Sequence, residues 1–119
     1  MPSEKPAARL EDIIENARAI LRYTAGMDLA AFKNDRKTYD AVERCLERIS
    51  EGAAKLGDQA AALVPDQPWA KIRALGNRLR HEYDAIREDR LWDIVQIDLP
   101  ALYAACESAL RRLREEESS

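Results

Sequence analysis

The stretch GNRLRHEYD, residues 76–84, contains the single histidine of the chain, His81. An imidazole can accept and donate protons near neutral pH, and neighbouring guanidinium groups can hold phosphate oxygens. Arg73, Asn77 and His81 follow one another at intervals of four residues, so on a helix they form one polar ridge. Two further arginines flank that ridge, Arg78 and Arg80. The pattern indicates a site for phosphate chemistry, although a solvated helix face without a function is the more frequent meaning of such a pattern.

The single histidine limits what one chain can do. Cleavage of RNA through its own 2′-hydroxyl without a metal ion needs a base and an acid on opposite sides of the phosphorus. A monomer cannot supply a histidine pair, whereas a two-fold dimer brings the same ridge from both subunits together. If the protein is a ribonuclease, we therefore expect a homodimer in which His81 of each chain faces one cleft.

Other chemistries are less compatible with the sequence. It has no glycine-rich phosphate loop and no G-x-S-x-G nucleophile motif. One histidine and two distant cysteines, Cys45 and Cys106, do not form a metal-ligand set, so we expect neither a metal nor a cofactor. The formal net charge of −3 argues against a protein that coats nucleic acid. A local basic patch is still possible, because residues 71–80 carry four cationic side chains and no acid.

The elements that hold the ridge are predicted to be helices, because apolar residues recur at helical spacing and no segment alternates as a strand does. We expect a long helix that Asn34 or Asp35 caps and that Gly57 ends. The first helix and this long helix each present one apolar face, made of Leu10, Ile13, Ile14, Ala17, Ile20 and Leu21 in the first and of Val42, Cys45, Leu46, Ile49, Ala53 and Leu56 in the second. The pattern predicts an all-α antiparallel bundle of four to five helices.

The ridge helix is expected to start at Pro68, which suits a first helical turn. Its core face is predicted to consist of Ile72, Leu75, Gly76, Leu79, Tyr83 and Ile86. If the helix ends near Arg80–Tyr83, however, Tyr83 is freed from this face and can point toward the cleft. The last helix is expected to begin near Glu88, with a kink or break at Pro100.

The length of 119 residues fits one domain, 1–119, with a core at about residues 9–113 and frayed termini. No run of about 18 apolar residues predicts a membrane span, and the N-terminus lacks the apolar region of a signal peptide. Free thiols without an export signal favour the cytoplasm.

Four segments in order resemble the HepT-like family of the HEPN superfamily. They are RLEDIIENARAILRYTAGMDLAAFKND (9–35), TYDAVERCLERISEGAAKL (38–56), PDQPWAKIRALGNRLRHEY (65–83) and LWDIVQIDLPAL (91–102). Asn77, His81 and Tyr83 match three positions of the family motif R-N-x-x-x-H-x-Y. The arginine of that motif is absent, because its position holds Gly76. Of the nearby arginines, Arg73 stacks best on the ridge, and Arg78 and Arg80 lie about a quarter-turn to either side. Any of the three could replace the missing arginine.

The resemblance implies a HEPN-type bundle and a toxin of a toxin–antitoxin pair, a metal-independent endoribonuclease that cleaves RNA, with tRNA among the candidate substrates. His81 of each subunit would act as general base or acid, Asn77 would orient the phosphate or the imidazole, and the arginines would supply positive charge. The implied partner is an MntA-like nucleotidyltransferase antitoxin that silences the toxin by transferring AMP to Tyr83. The main rival hypothesis, based on Gly76, is a non-catalytic module that dimerises and docks such a partner. A third possibility is a plain nucleotide- or phosphate-binding domain.

Overall fold

The computed structural model describes residues 5–81 and 87–118. These residues form helices α1 (Pro6–Thr24), α2 (Leu29–Lys33), α3 (Arg36–Leu56), α4 (Gln59–Leu63), α5 (Trp69–His81) and α6 (Glu88–Asp93), a π-helical segment (Ile94–Asp98) and α7 (Leu99–Ser118). No strand occurs among them, so the all-α prediction is confirmed. Within the same residues, no helix combines the length and apolar composition that crossing a membrane requires.

The long helices pack side by side in an antiparallel bundle. Gly52, near the end of α3, lies against the side chain of Ile13, near the start of α1. Arg114, near the end of α7, pairs with Glu11 of α1, so α1 runs antiparallel to both neighbours. Helix α5 packs on α3, where the Ser50 hydroxyl donates to the backbone carbonyl of α5. The ridge helix therefore rests on α3.

The ends of α3 follow from local chemistry. The Asp35 carboxylate accepts hydrogen bonds from the Thr38 backbone N–H at 3.0 Å and from the Thr38 hydroxyl at 2.8 Å. Asp35 is therefore the N-cap, and Asn34 instead ends α2. Gly57 closes α3 with a positive φ of 56°, a conformation that glycine adopts without steric cost.

The predicted apolar faces form the core. All six predicted core residues of α3 are buried, and in α1 only Leu21 is half-buried. Short α2 adds Phe32, which is fully buried with its ring centroid 5.2 Å from that of Trp92. Trp69 is buried at the start of α5, and its indole N–H donates to the Val64 carbonyl at 2.8 Å. That bond fixes the start of the ridge helix.

Pro100 changes the hydrogen-bond register of the last helix instead of breaking it. The Leu99 N–H donates to the Ile94 carbonyl, five residues back, at the end of the π-helical segment. Proline has no N–H and clashes with the carbonyl four residues before it, so one widened turn ahead of Pro100 relieves the conflict. The shifted register turns Ile97 outward, where it is 69% exposed.

Candidate functional site

The middle of α5 lies unusually close to α3. Ser50 of α3 is 2% exposed, and its hydroxyl donates to the Arg73 carbonyl at 3.2 Å. A Cβ added at Gly76 would lie 1.9 Å from the Ser50 oxygen and 2.4 Å from the Ser50 Cβ. Both distances are far shorter than a van der Waals contact of about 3.5–4.0 Å. Packing therefore requires glycine at residue 76, and any larger side chain there would push the helices apart.

The guanidinium of Arg80 covers the position that a side chain at residue 76 would occupy. Its Nη2 donates to the Asn77 Oδ1 at 2.9 Å, and its Nη1 lies 3.3 Å from the ideal Cβ position of Gly76. Residues three apart on a helix are surface neighbours, so this contact needs no distortion of α5. Arg80 thus places a positive charge beside the point where the motif arginine would emerge.

The predicted site residues differ in exposure. Asn77, Arg80 and His81 are exposed toward the end of α5, as is Arg78. Arg73 is half-buried, and its backbone carbonyl accepts the hydroxyl of Ser50 from α3. The ridge is therefore solvent-accessible at its Asn77–His81 end and partly covered at its Arg73 end. The structure joins Asn77 to Arg80, which makes Arg80, not Arg73, the arginine closest to the vacated motif position.

Some site predictions fall on residues outside the described part of the chain. Tyr83, the predicted AMP acceptor, and Ile86, a predicted core residue, both lie in 82–86. Of the other predicted core residues of α5, Gly76 and Leu79 are buried. The remaining two, Ile72 and Leu75, are half-buried and line a groove.

Two cations near the site escaped the sequence interpretation. Arg87 and Arg90 line a cleft of about 330 Å³ together with Arg78, Asp89 and Asp93. Two hydrogen bonds from Arg87, at 3.1 and 2.5 Å, hold the Asp89 carboxylate. These bonds, with the charge of Arg87, lower the pKa of Asp89 to about 2. Residues 87–90 contain two arginines and two acids, a pattern typical of a charged helix start, so the sequence alone did not indicate a basic cleft here.

The arrangement can bind a phosphodiester and stabilise charge on it. Arg80 and Asn77 present donors beside the exposed His81, and guanidinium groups suit phosphate oxygens geometrically. Donors placed where negative charge develops lower the barrier of phosphoryl transfer. One chain nevertheless offers one imidazole, which is one proton-transfer group of the two that metal-free RNA cleavage needs.

Comparisons with known proteins cover nearly the whole chain. A family model described as "Ribonuclease HepT-like" matches residues 13–109. A protein of Methanocaldococcus jannaschii named as a "Putative RNase" is 32% identical over 119 residues, 100% of this chain and 98% of that protein. A protein of Thermococcus cleftensis named "Probable ribonuclease HepT" is 33% identical over 93 residues, 78% of this chain and 84% of that protein.

No solved structure matches the chain. The family match spans α1 to α7 and includes Asn77, Gly76 and His81. The all-α bundle agrees with the HEPN-type architecture that the resemblance implied. The chain therefore belongs to the HepT-like ribonuclease family.

Proposed function

We propose that this protein is a metal-independent endoribonuclease that acts as a homodimer and serves as the toxin of a toxin–antitoxin pair. The observation that carries the proposal is the Arg80–Asn77 contact beside the exposed His81. It offers a phosphate-binding donor set in a member of a ribonuclease family whose motif arginine is missing. RNA is the substrate class, and tRNA is one candidate within it.

In the proposed reaction, His81 of one subunit removes the proton of an RNA 2′-hydroxyl, and the freed oxygen attacks the adjacent phosphorus. The bond from phosphorus to the 5′-oxygen breaks, and His81 of the other subunit gives that oxygen a proton. The products are a 2′,3′-cyclic phosphate and a 5′-hydroxyl. The Asn77 amide orients the phosphate, and Arg80 stabilises the charge of the phosphorane, with Arg73 and Arg78 adding positive potential.

The proposed regulator is an MntA-like nucleotidyltransferase that transfers AMP to Tyr83. Tyr83 follows His81 by two residues, so the added group would stand beside the site. AMP brings bulk and negative charge, which would obstruct the cleft and repel RNA phosphates. Co-expression with an MntA-like nucleotidyltransferase should add one AMP to the mass of the wild type and none to that of Tyr83→Phe.

The direct test incubates the wild type and His81→Ala with total RNA in EDTA and examines the 3′ ends. We expect cleavage with 2′,3′-cyclic phosphate ends from the wild type alone. If neither folded protein cleaves, and the wild type is a dimer without AMP by mass, catalysis is refuted and the non-catalytic docking module becomes the better hypothesis. Arg111→Ala, an exposed arginine of α7, is the matched control.

A subunit-mixing experiment tests the histidine pair. Wild type and His81→Ala are unfolded together in equal amounts and refolded, so that subunits combine at random. If one reaction needs both histidines, only dimers of two wild-type subunits cleave RNA. The activity of the mixture then falls to roughly one quarter of that of the same total amount of pure wild-type protein. Activity of about one half would show instead that each subunit works independently.

A further inference from the structure

The cleft of about 330 Å³ beside the ridge is lined by charged side chains from two separate elements. Arg78 belongs to the motif helix α5. The other four lining residues belong to α6 and the residue before it, and they are Arg87, Asp89, Arg90 and Asp93. None of these five side chains is aromatic or aliphatic, so the cleft suits a charged group better than a nucleobase.

The acids of the cleft do not cancel its positive charge. The Asp89 carboxylate accepts two hydrogen bonds from the Arg87 guanidinium and a third, at 2.9 Å, from the Arg90 backbone N–H. The Arg90 guanidinium itself is exposed, and no ion pair joins it to another residue of the described part of the chain. The five lining residues carry three positive charges and two negative ones, which leaves a net positive charge.

We infer that this cleft binds a backbone phosphate of the substrate RNA that neighbours the cleaved one, with Arg90 as its main ligand. The inference rests on the proposed function, because it concerns the strand that His81 is proposed to cleave. The Arg90 contact would hold the strand without touching the reacting atoms. Arg90 is therefore a binding residue and not a catalytic one.

The geometry of α5 places the cleft where a bound strand would leave the ridge. Arg78 is turned by about 100° from Asn77 around the helix axis, and Arg80 by about 60° in the opposite direction. The two arginines thus lie on either side of the Asn77–His81 ridge. A strand that contacts Arg80 and crosses the ridge beside His81 arrives at Arg78, the α5 residue that lines the cleft.

The donors of the cleft suit a phosphate. A guanidinium has five N–H donors in a planar fork, and only two of those of Arg87 bond to Asp89. The same pair of bonds fixes the Arg87 side chain, so it loses less conformational freedom when a ligand binds. Contacts to phosphate oxygens position a strand and carry no sequence information. The cleft should therefore determine the register and minimum length of the substrate and not its sequence.

A salt-bridge cluster that only stabilises the fold is the other explanation of the same residues. It predicts that loss of the Arg90 charge lowers stability and leaves RNA binding unchanged. The exposed Arg90 side chain, which has no ion pair with the described residues, argues against this explanation. Thermal unfolding of Arg90→Gln measures the stability change separately from binding.

The first test measures binding without cleavage. The probe is a fluorescent 2′-O-methyl oligonucleotide, which has no free 2′-hydroxyl and therefore cannot react. Arg90→Gln should weaken its binding about 10-fold. It should also reduce the slope of log affinity against log salt by about 0.7, the value for one phosphate contact on a single strand. Arg90→Lys should retain part of the binding, because an ammonium still attracts phosphate as a point charge.

Arg111→Gln is the matched control for this measurement. Arg111 is exposed on α7, and its loss changes the net charge of the protein by the same amount. It should leave both the affinity and the salt slope close to those of the wild type. Because Arg90 also lines the apolar groove beside α5, sedimentation of each variant at the assay concentration checks that its association state is unchanged.

The second test locates the phosphate by cleavage. An oligonucleotide with a single free 2′-hydroxyl has one cleavable bond, and each neighbouring phosphate is replaced in turn by a neutral methylphosphonate. One replacement should lower kcat/KM of the wild type about 10-fold, mainly through KM. The same replacement should cost Arg90→Gln little, because the contact is already lost. A dinucleotide with one phosphodiester should be cleaved equally by both proteins.

The outcomes separate this inference from the ribonuclease proposal. If Arg90→Gln binds and cleaves like Arg111→Gln, or if the methylphosphonate effect is the same with and without Arg90, the cleft inference is overturned and the ribonuclease proposal survives. If the folded wild type does not bind the 2′-O-methyl probe, the cleft inference is also overturned. If binding depends on Arg90 as expected but no protein cleaves, the ribonuclease proposal fails alone.

Discussion

Gly76→Ala tests whether packing, rather than chance loss of the motif arginine, explains the glycine in the ridge helix. The new Cβ would lie 1.9 Å from the Ser50 oxygen and 2.4 Å from the Ser50 Cβ. Rotation of the serine side chain would move its oxygen but not its Cβ, so the second clash persists. Helices α3 and α5 would have to separate by about 1 Å or more to restore a normal contact.

The expected free-energy change combines two opposing effects. Overpacking of this kind costs about 1–3 kcal/mol, whereas replacing a mid-helix glycine by alanine gains about 0.5–1 kcal/mol. We therefore expect Gly76→Ala to lower the free energy of unfolding by about 0.5–2 kcal/mol. For a chain of this size the melting temperature should fall by roughly 2–8 °C.

The decisive measurement is a double-mutant cycle with Ser50, by urea unfolding at one fixed protein concentration. Ser50→Gly removes both clashing atoms, so Gly76→Ala should become stabilising by about 0.5–1 kcal/mol in that background. Ser50→Ala removes the oxygen alone and should relieve only part of the loss. Gly76→Ala that is neutral or stabilising next to the native Ser50 would refute the packing argument.

The same reasoning concerns the motif. Gly76→Arg should destabilise the protein and fail to raise activity, because the arginine has no space beside Ser50. In the structure the Arg80 guanidinium, one helical turn further along α5, lies beside the position that a side chain at residue 76 would occupy.

Three further predictions concern single groups. Arg80→Ala should lower kcat/KM for RNA by about 100-fold with little effect on the free energy of unfolding. Arg80→Lys should retain only part of the wild-type kcat/KM, because an ammonium lacks the planar donor pair of a guanidinium. Burial raises the pKa of Cys106 to about 12, so a thiol reagent at pH 8 should modify it only when the chain unfolds. Between about pH 9 and pH 12 the Cys106 thiol ionises in the unfolded chain but not in the folded one. The free energy of unfolding should therefore decline as pH rises through this range. Asp89→Asn should lower the unfolding midpoint at pH 6, and this difference from the wild type should vanish as pH falls from about 4 toward 2, the lowered pKa of Asp89. A reactive native Cys106, an Arg80→Ala with wild-type kinetics, or an effect of Asp89→Asn that does not depend on pH would each contradict its argument.

Local signals in the chain were enough to predict the helices and most of their buried faces. The period of apolar residues and the chemistry of caps act within one or two turns, which is why Gly57 was correctly predicted to end α3 and Asp35 was one of two predicted caps for its start. The same periodicity predicted that Asn77 and His81 share an exposed side of α5. Whether these residues perform catalysis stays a prediction.

Helix–helix contacts between distant residues decided the rest. A helical wheel drawn for α5 alone showed that Arg73 stacks best on the Asn77–His81 ridge, but the wheel contains no Ser50, the α3 residue whose hydroxyl donates to the Arg73 carbonyl. The wheel did not explain why residue 76 is glycine, and it did not indicate that the Arg80 guanidinium donates to the Asn77 side chain. Periodicity is a property of one helix, so it determines which side chains share a face. Where neighbouring helices leave no room for a side chain, and where the π-helical turn before Pro100 exposes Ile97, the tertiary structure decides.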